Sequence, residues 1–114
     1  MEKMTDRSYL GEFELMILLA ILLLGEEAYG VPIARELERR RDRDVSLSSV
    51  YAALERLEAK GLVTSTLGDP TPERGGKAKR FFLVTREGVR QVRETRRVLT
   101  RLWKQIPDLK GEPL

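Results

Sequence analysis

The feature that most limits how this chain can fold is a helix with almost no polar side. Leu10, Phe13, Ile17, Ala20, Ile21 and Leu24 recur at steps of three and four, the period of an α-helix. Leu15, Leu18, Leu19 and Leu22 fill the gaps and make it apolar on most of its circumference. A helix of that kind is buried on more than one face. In a chain of 114 residues, one domain's worth, it must lie at the centre or reach a partner subunit. The strongly apolar run Leu15 to Leu24 is about half of the roughly 20 residues that span a bilayer. Its flanks, Glu12 and Glu14 before and Gly25, Glu26 and Glu27 after, are wrong for a signal peptide. We expect a soluble, cytoplasmic protein with no membrane partner.

The rest of the chain alternates in period. Gly25 ends the first helix, Gly30 sits in the connection, and Pro32 suits the first turn of a second helix. Ile33, Ala34 and Leu37 form the inner stripe of that helix, with Arg35, Glu36, Glu38, Arg39, Arg40 and Arg41 expected outward and Arg39 to Asp44 as a solvated helix end and turn. Ser46 reads as an N-cap for a third helix from about Leu47 to Lys60, with Val50, Leu54 and Leu57 inward and Gly61 as its stop. Leu62 to Leu67 and Arg80 to Val84 read as strands around a loop rich in Gly and Pro, a hairpin. Thr85 can cap a last helix, in which Glu87 is favourable to the dipole. There Val92, Leu99, Leu102 and Ile106 repeat at seven, three and four residues until Pro107. The expected fold is mainly α (α+β): a winged helix-turn-helix of three helices and a two-stranded wing over 10–84, with a long C-terminal dimerisation helix over 85–107. A flexible arm, 1–9, and a flexible tail, 108–114, complete it.

Two absences narrow the chemistry. With no Cys and no His, the chain lacks thiolate nucleophiles and the commonest general base and metal ligand. Glu12, Glu14, Glu26 and Glu27 are acidic, but each is better explained as a helix-end or loop residue. We expect no enzyme activity, no cofactor and no metal.

Net charge is only +3, so the placement of the cations matters more than their number. Arg74, Lys77, Lys79 and Arg80 bring four basic residues into seven, among Gly75, Gly76 and Ala78. Such a loop suits phosphates or a minor groove. The front of the third helix is small and polar: Ser46, Ser48 and Ser49, then Ala52 and Ala53, followed by Arg56. Short side chains let a helix axis approach base edges. Tyr51 and Lys60 are expected to hold phosphates on either side. The bland alternatives, a capped solvated helix and a solvated turn, are less economical for the pair than for either alone. There is no Asn, and Gln occurs only at Gln91 and Gln105, so the bidentate contact to adenine is closed to the third helix.

Val92, Leu99, Leu102, Trp103 and Ile106 have nothing left to bury against in so small a monomer, and are expected to form a dimer interface. Two readings stand for Trp103: interface core, or a flat stacking surface for a small aromatic effector. The expectation is a homodimer on double-stranded operator DNA, most simply a repressor released by such an effector. The rival from another class is a winged helix that binds only protein.

Leu10-Gly11-Glu12, Ala28-Tyr29-Gly30-Val31-Pro32-Ile33 and the stretch Val45 to Val63, with its Leu54-Glu55-Arg56-Leu57-Glu58, resemble the PadR family of bacterial transcriptional regulators. The wing, Gly68 to Phe82, followed by Thr85 and Gly88, is similar to that family too. The resemblance covers Leu10 to about Val92. It implies a dimeric DNA-binding regulator, usually a repressor, that responds to small molecules such as phenolic acids or drugs. It places Ser48, Ser49 and Tyr51 in the recognition helix and Arg74 to Arg80 in the wing. A single C-terminal helix resembles the family's short members, some of which bind aromatic compounds in a cavity at the dimer interface.

Overall fold

A computed structural model of the chain describes residues 10–41, 44–69 and 78–109. Helix α1, Glu12–Leu24, begins at Gly11. Glu14 reaches back to accept from the Gly11 N–H at 3.3 Å, the acidic half of a capping box. Leu10, expected as the first helical residue, precedes the helix and packs half-buried against the core. The helix stops at Gly25, whose φ of +61° is a left-handed conformation that glycine adopts without strain. A single 3₁₀ turn, Gly25–Glu27, leads to α2, Gly30–Arg41. Helix α3, Leu47–Ala59, is capped by Ser46, whose hydroxyl accepts from the Ser49 N–H at 3.0 Å.

The strands β1, Val63–Leu67, and β2, Arg80–Val84, pair antiparallel from Val63↔Val84 to Leu67↔Arg80. The hairpin is not free-standing. Phe82 donates to the Ala28 carbonyl at 2.8 Å and Tyr29 bridges to Phe81, so the connection between α1 and α2 lies along β2 as a short third strand. Helix α4, Arg86–Lys104, follows, with Thr85 as its cap. Gly88 in its first turn lies against the Leu62 carbonyl, where a Cβ would stand 2.3 Å from the oxygen. The helix ends two residues before Ile106, and Pro107–Leu109 forms a 3₁₀ turn. The arm at 1–9 and the tail from residue 110 onward lie outside the described residues.

Three helices and the sheet enclose one core, in which Ile17, Leu18, Ile33, Val50, Leu54, Leu57 and Val63 have almost no exposure. This is a winged helix, mainly α with one small antiparallel sheet. One expectation is corrected here. Glu36 does not face outward but is buried, because it follows Ile33 by one turn on the inner edge of α2. Arg39 and Arg40, one turn further along, close over it at 2.8 and 2.7 Å and supply its charge partners.

Candidate nucleic-acid interface

The front turn of α3 is built from three hydroxyls. The Ser46 hydroxyl lies 3.1 Å from that of Ser48 and 2.9 Å from that of Ser49, and all three residues are exposed. Ser46 is therefore committed to capping, while Ser48 and Ser49 stand on the outer surface with Ala52 behind them. Tyr51 is also exposed, and its ring lies over Gly30 at the start of α2. Any side chain there would collide with it: a Cβ would fall 2.2 Å from the phenolic oxygen. The glycine gives Tyr51 its place.

Tyr51 and Arg80 line one groove of about 510 Å³ between α3 and the sheet, together with Ala78, Leu67, Glu55 and Glu58. Arg80 donates to the Ser65 hydroxyl at 3.0 Å, and Ser65 donates to Glu58 at 3.0 Å, so the base of the wing is tied to the flank of α3. Lys79 is half-buried with its ammonium 4.6 Å from the centre of the Tyr29 ring, a cation–π contact. That ring in turn meets Phe81 edge-on at 5.4 Å. Two of the four wing cations are thus fixed in place by their neighbours. The other two, Arg74 and Lys77, lie outside the described residues.

The remaining pair of expected contacts sits elsewhere. Arg56 Nε and Lys60 Nζ both donate to Glu14 on α1, at 3.1 and 2.9 Å. Glu14 is only 5% exposed. Burial pushes its carboxyl up, but hydrogen bonds from Lys60, Arg56 and the Gly11 N–H outweigh that and hold it below the usual carboxylate range. From the sequence alone Glu14 reads as a helix-end acid. The signal that finds it is its position four residues after Leu10 and three before Ile17, on the buried stripe of α1.

Away from the α3 surface, Val92, expected at a dimer interface, instead packs half-buried on the chain's own core, one turn beyond Gly88, where α4 is seated on Leu62. Leu99, Leu102 and Ile106 are exposed, as is Val98, with Leu102 at 59%. Trp103 is half-buried, and its indole N–H is enclosed without a hydrogen-bond partner. Leu19, Leu22 and Leu23 expose a second apolar surface on α1.

The model of the transcriptional regulator PadR-like family matches residues 18–94, more than half of the chain. The chain belongs to that family. No curated protein matches it in sequence. Among solved structures it is similar to a PadR-like transcriptional regulator from Bacillus cereus, 25% identical over 88% of this chain and 93% of that one, with a TM-score of 0.67. It is similar also to a PadR family regulator from Eggerthella lenta, at 24% identity, 90% and 88% coverage and a TM-score of 0.66. A complex structure of hsRosR matches at 30% identity over 86% of this chain and 77% of that chain, with a TM-score of 0.65.

As a PadR-like protein it is a DNA-binding transcriptional regulator, and the winged helix is the part that the family model covers. The match reaches past Val92 and stops short of Leu99, Leu102 and Trp103. Among the described residues no helix is long and apolar enough to cross a membrane, and no cluster of carboxylates suits a metal ion.

Proposed function

We propose that this PadR-like protein is a homodimeric repressor that holds double-stranded operator DNA in the cytoplasm and releases it on binding a small aromatic effector. The observation that supports the DNA contact is the groove shared by Tyr51, one turn behind Ser48, and Arg80, which sets α3 and the base of the wing side by side. In this reading Ser48, Ser49 and Ala52 meet base edges, while Tyr51, Lys79, Arg80, Arg74 and Lys77 hold phosphates on the flanks.

Dimerisation is supported by apolar surface that a monomer leaves wet: Leu19, Leu22 and Leu23 on α1, and Val98, Leu99, Leu102 and Ile106 at the end of α4. A two-fold pairing that covers both would set two recognition helices about one DNA turn apart, roughly 34 Å. Trp103 lies at the same end of α4, and its half-buried ring gives an aromatic effector a flat surface to stack on. An effector there would alter the separation of the recognition helices and break their fit to two fixed half-sites.

The test is fluorescence anisotropy of the purified protein on duplex DNA from upstream of its own gene, beside a scrambled duplex, at low and physiological salt. Preference for the native duplex at both salts is the expected result. No binding even at low salt would overturn the reading in favour of a protein-binding winged helix. The chain has one Trp, so quenching of its fluorescence by candidate aromatics follows the effector directly.

A further inference from the structure

Charge is unevenly placed along this chain. Helix α4 holds seven cations against Glu87 and Glu94, a net of +5, so the other residues together carry −2 and the chain's +3 comes from α4. After Glu94 no acid follows until Asp108. Arg90 and Arg97 are paired, with Glu87 at 2.6 Å and Glu94 at 3.0 Å. Arg93, Arg96, Arg101 and Lys104 are exposed and have no ion pair among the described residues. With Arg97 and Thr100 they line one groove of about 580 Å³, whose described lining includes no carboxylate. Like charges three or four residues apart on a helix oppose one another. Arg93 stands so to Arg96 and Arg97, Arg97 to Arg101, and Arg101 to Lys104, an opposition that a polyanion laid along the helix would relieve.

This face lies apart from the elements that grip a duplex. Helix α4 is seated where Gly88 meets Leu62 and the Thr85 hydroxyl meets Gly61, at the rear of α3. The serine turn is about 18 Å away along the α3 axis. The open end of the hairpin, at Gly68 and Lys79, is likewise the end far from Thr85. Beyond Val92 no apolar residue of α4 packs against the core. At 3.6 residues per turn, Arg93, Arg97 and Lys104 fall across the helix from Leu99, Leu102 and Ile106. A dimer closed on the apolar side therefore leaves the basic side open.

We infer that the basic side of α4 is a second duplex-binding surface, which takes the phosphate backbone of a DNA segment other than the one held by α3 and the wing. This inference rests on the DNA-binding reading above, because duplex is the polyanion that reading already brings to the protein. From Arg93 to Lys104 the face runs about 17 Å, a length over which a duplex presents about ten phosphate charges. Arg, Lys and Thr are common donors to phosphate oxygens, and such contacts hold every sequence alike. A regulator with this face can join its operator to another stretch of DNA.

In the experiment the upstream duplex is tethered to a biosensor, loaded with the full chain, washed, and then exposed to scrambled duplex. Wild type should take up scrambled duplex at 50 mM salt, and with four phosphate contacts that affinity should fall roughly a hundredfold at 200 mM. Arg93→Gln, Arg96→Gln, Arg101→Gln and Lys104→Gln together should load the tethered duplex as wild type does, yet take up no second one. Arg93→Lys, Arg96→Lys and Arg101→Lys together should keep the uptake, since charge alone holds a phosphate. No uptake by wild type at 50 mM salt would overturn the inference. So would uptake that survives all four charge removals, which would put the second duplex on the winged helix of another protomer. Weaker loading of the tethered duplex by that fourfold variant would also overturn it, by placing α4 on the operator segment itself. Capture of phosphatidylserine vesicles in place of duplex would overturn it in favour of a membrane surface. Wild type that fails to load the tethered duplex would instead remove the DNA-binding reading on which the inference rests.

Discussion

Gly88→Ala should loosen the joint between α4 and the winged helix. The new methyl would stand 2.3 Å from the Leu62 carbonyl oxygen and 2.6 Å from a Val84 methyl, well inside the 3.4 Å at which ordinary contact begins. The nearer obstacle is backbone, so no side chain can swing aside, and the first turn of α4 must lift. Overpacking of this kind costs about 1–3 kcal/mol. Lifting the turn also strains the bonds that seat it, Thr85 N–H to Leu62 at 2.9 Å and the Thr85 hydroxyl to Gly61 at 2.8 Å. Each is worth about 1 kcal/mol. Alanine returns about 1 kcal/mol of helix propensity. The balance is a loss of about 2–4 kcal/mol, and for a domain of this size a fall of roughly 10 °C or more in Tm. Thermal unfolding followed by circular dichroism at fixed protein concentration measures it. Gly61→Ala is the control: it meets nothing within 4 Å, and only its φ of +77° is strained, so it should lose about 1–2 kcal/mol. A Gly88→Ala protein as stable as wild type would refute the reasoning, because it would mean that α4 does not press on Leu62.

Two further expectations concern the recognition helix. Ser46→Ala removes the N-cap and should lower stability by about 1 kcal/mol, whereas Ser46→Asp should restore the Tm but weaken DNA binding by placing a carboxylate near phosphates. A Ser46→Asp protein that binds DNA like wild type would place the cap away from the duplex. Glu14 sets an acid limit: its folded pKa lies below the ordinary 4.5, so its stabilisation is complete above that value and is lost as pH falls through the lower one. Urea midpoints between about pH 3 and 7 should fall more steeply in wild type than in Glu14→Gln; parallel curves would show that the carboxylate is not held as described.

The helices could be read from the chain because each announces itself locally. Periodic apolar residues mark α1 and α3, Ser46 and Thr85 satisfy N–H groups three residues on, and Gly25 and Gly61 stop helices with positive φ. The exposed serine turn was equally legible, since small residues at the start of a helix need no partner to be seen. What escaped are pairings between distant segments. Glu14 meets Arg56 and Lys60 across more than forty residues, and nothing in the local pattern of α3 shows that these cations turn toward α1. Glu36 lay on the inner edge of its stripe, but its charge argued outward until Arg39 and Arg40 are seen to close over it. Tyr29 is a one-residue bridge and carries no period at all, yet it seats both Phe81 and Lys79.

That bridge determines where the chain can change length. Gly68 donates to Lys79 at 2.7 Å and closes the sheet, so residues added beyond this pair lengthen the loop without moving the base of the wing. A residue added between Gly25 and Tyr29 acts differently. The backbone pairs with β2 at Ala28 and Tyr29, and a slip of one position turns every side chain of a strand to its opposite face. Tyr29 would leave Phe81 and Lys79, and the spacing between wing and recognition helix would shift with it. Insertions should therefore be tolerated at the tip of the wing and rejected in the short turn after α1, although that turn belongs to neither element expected to grip the duplex.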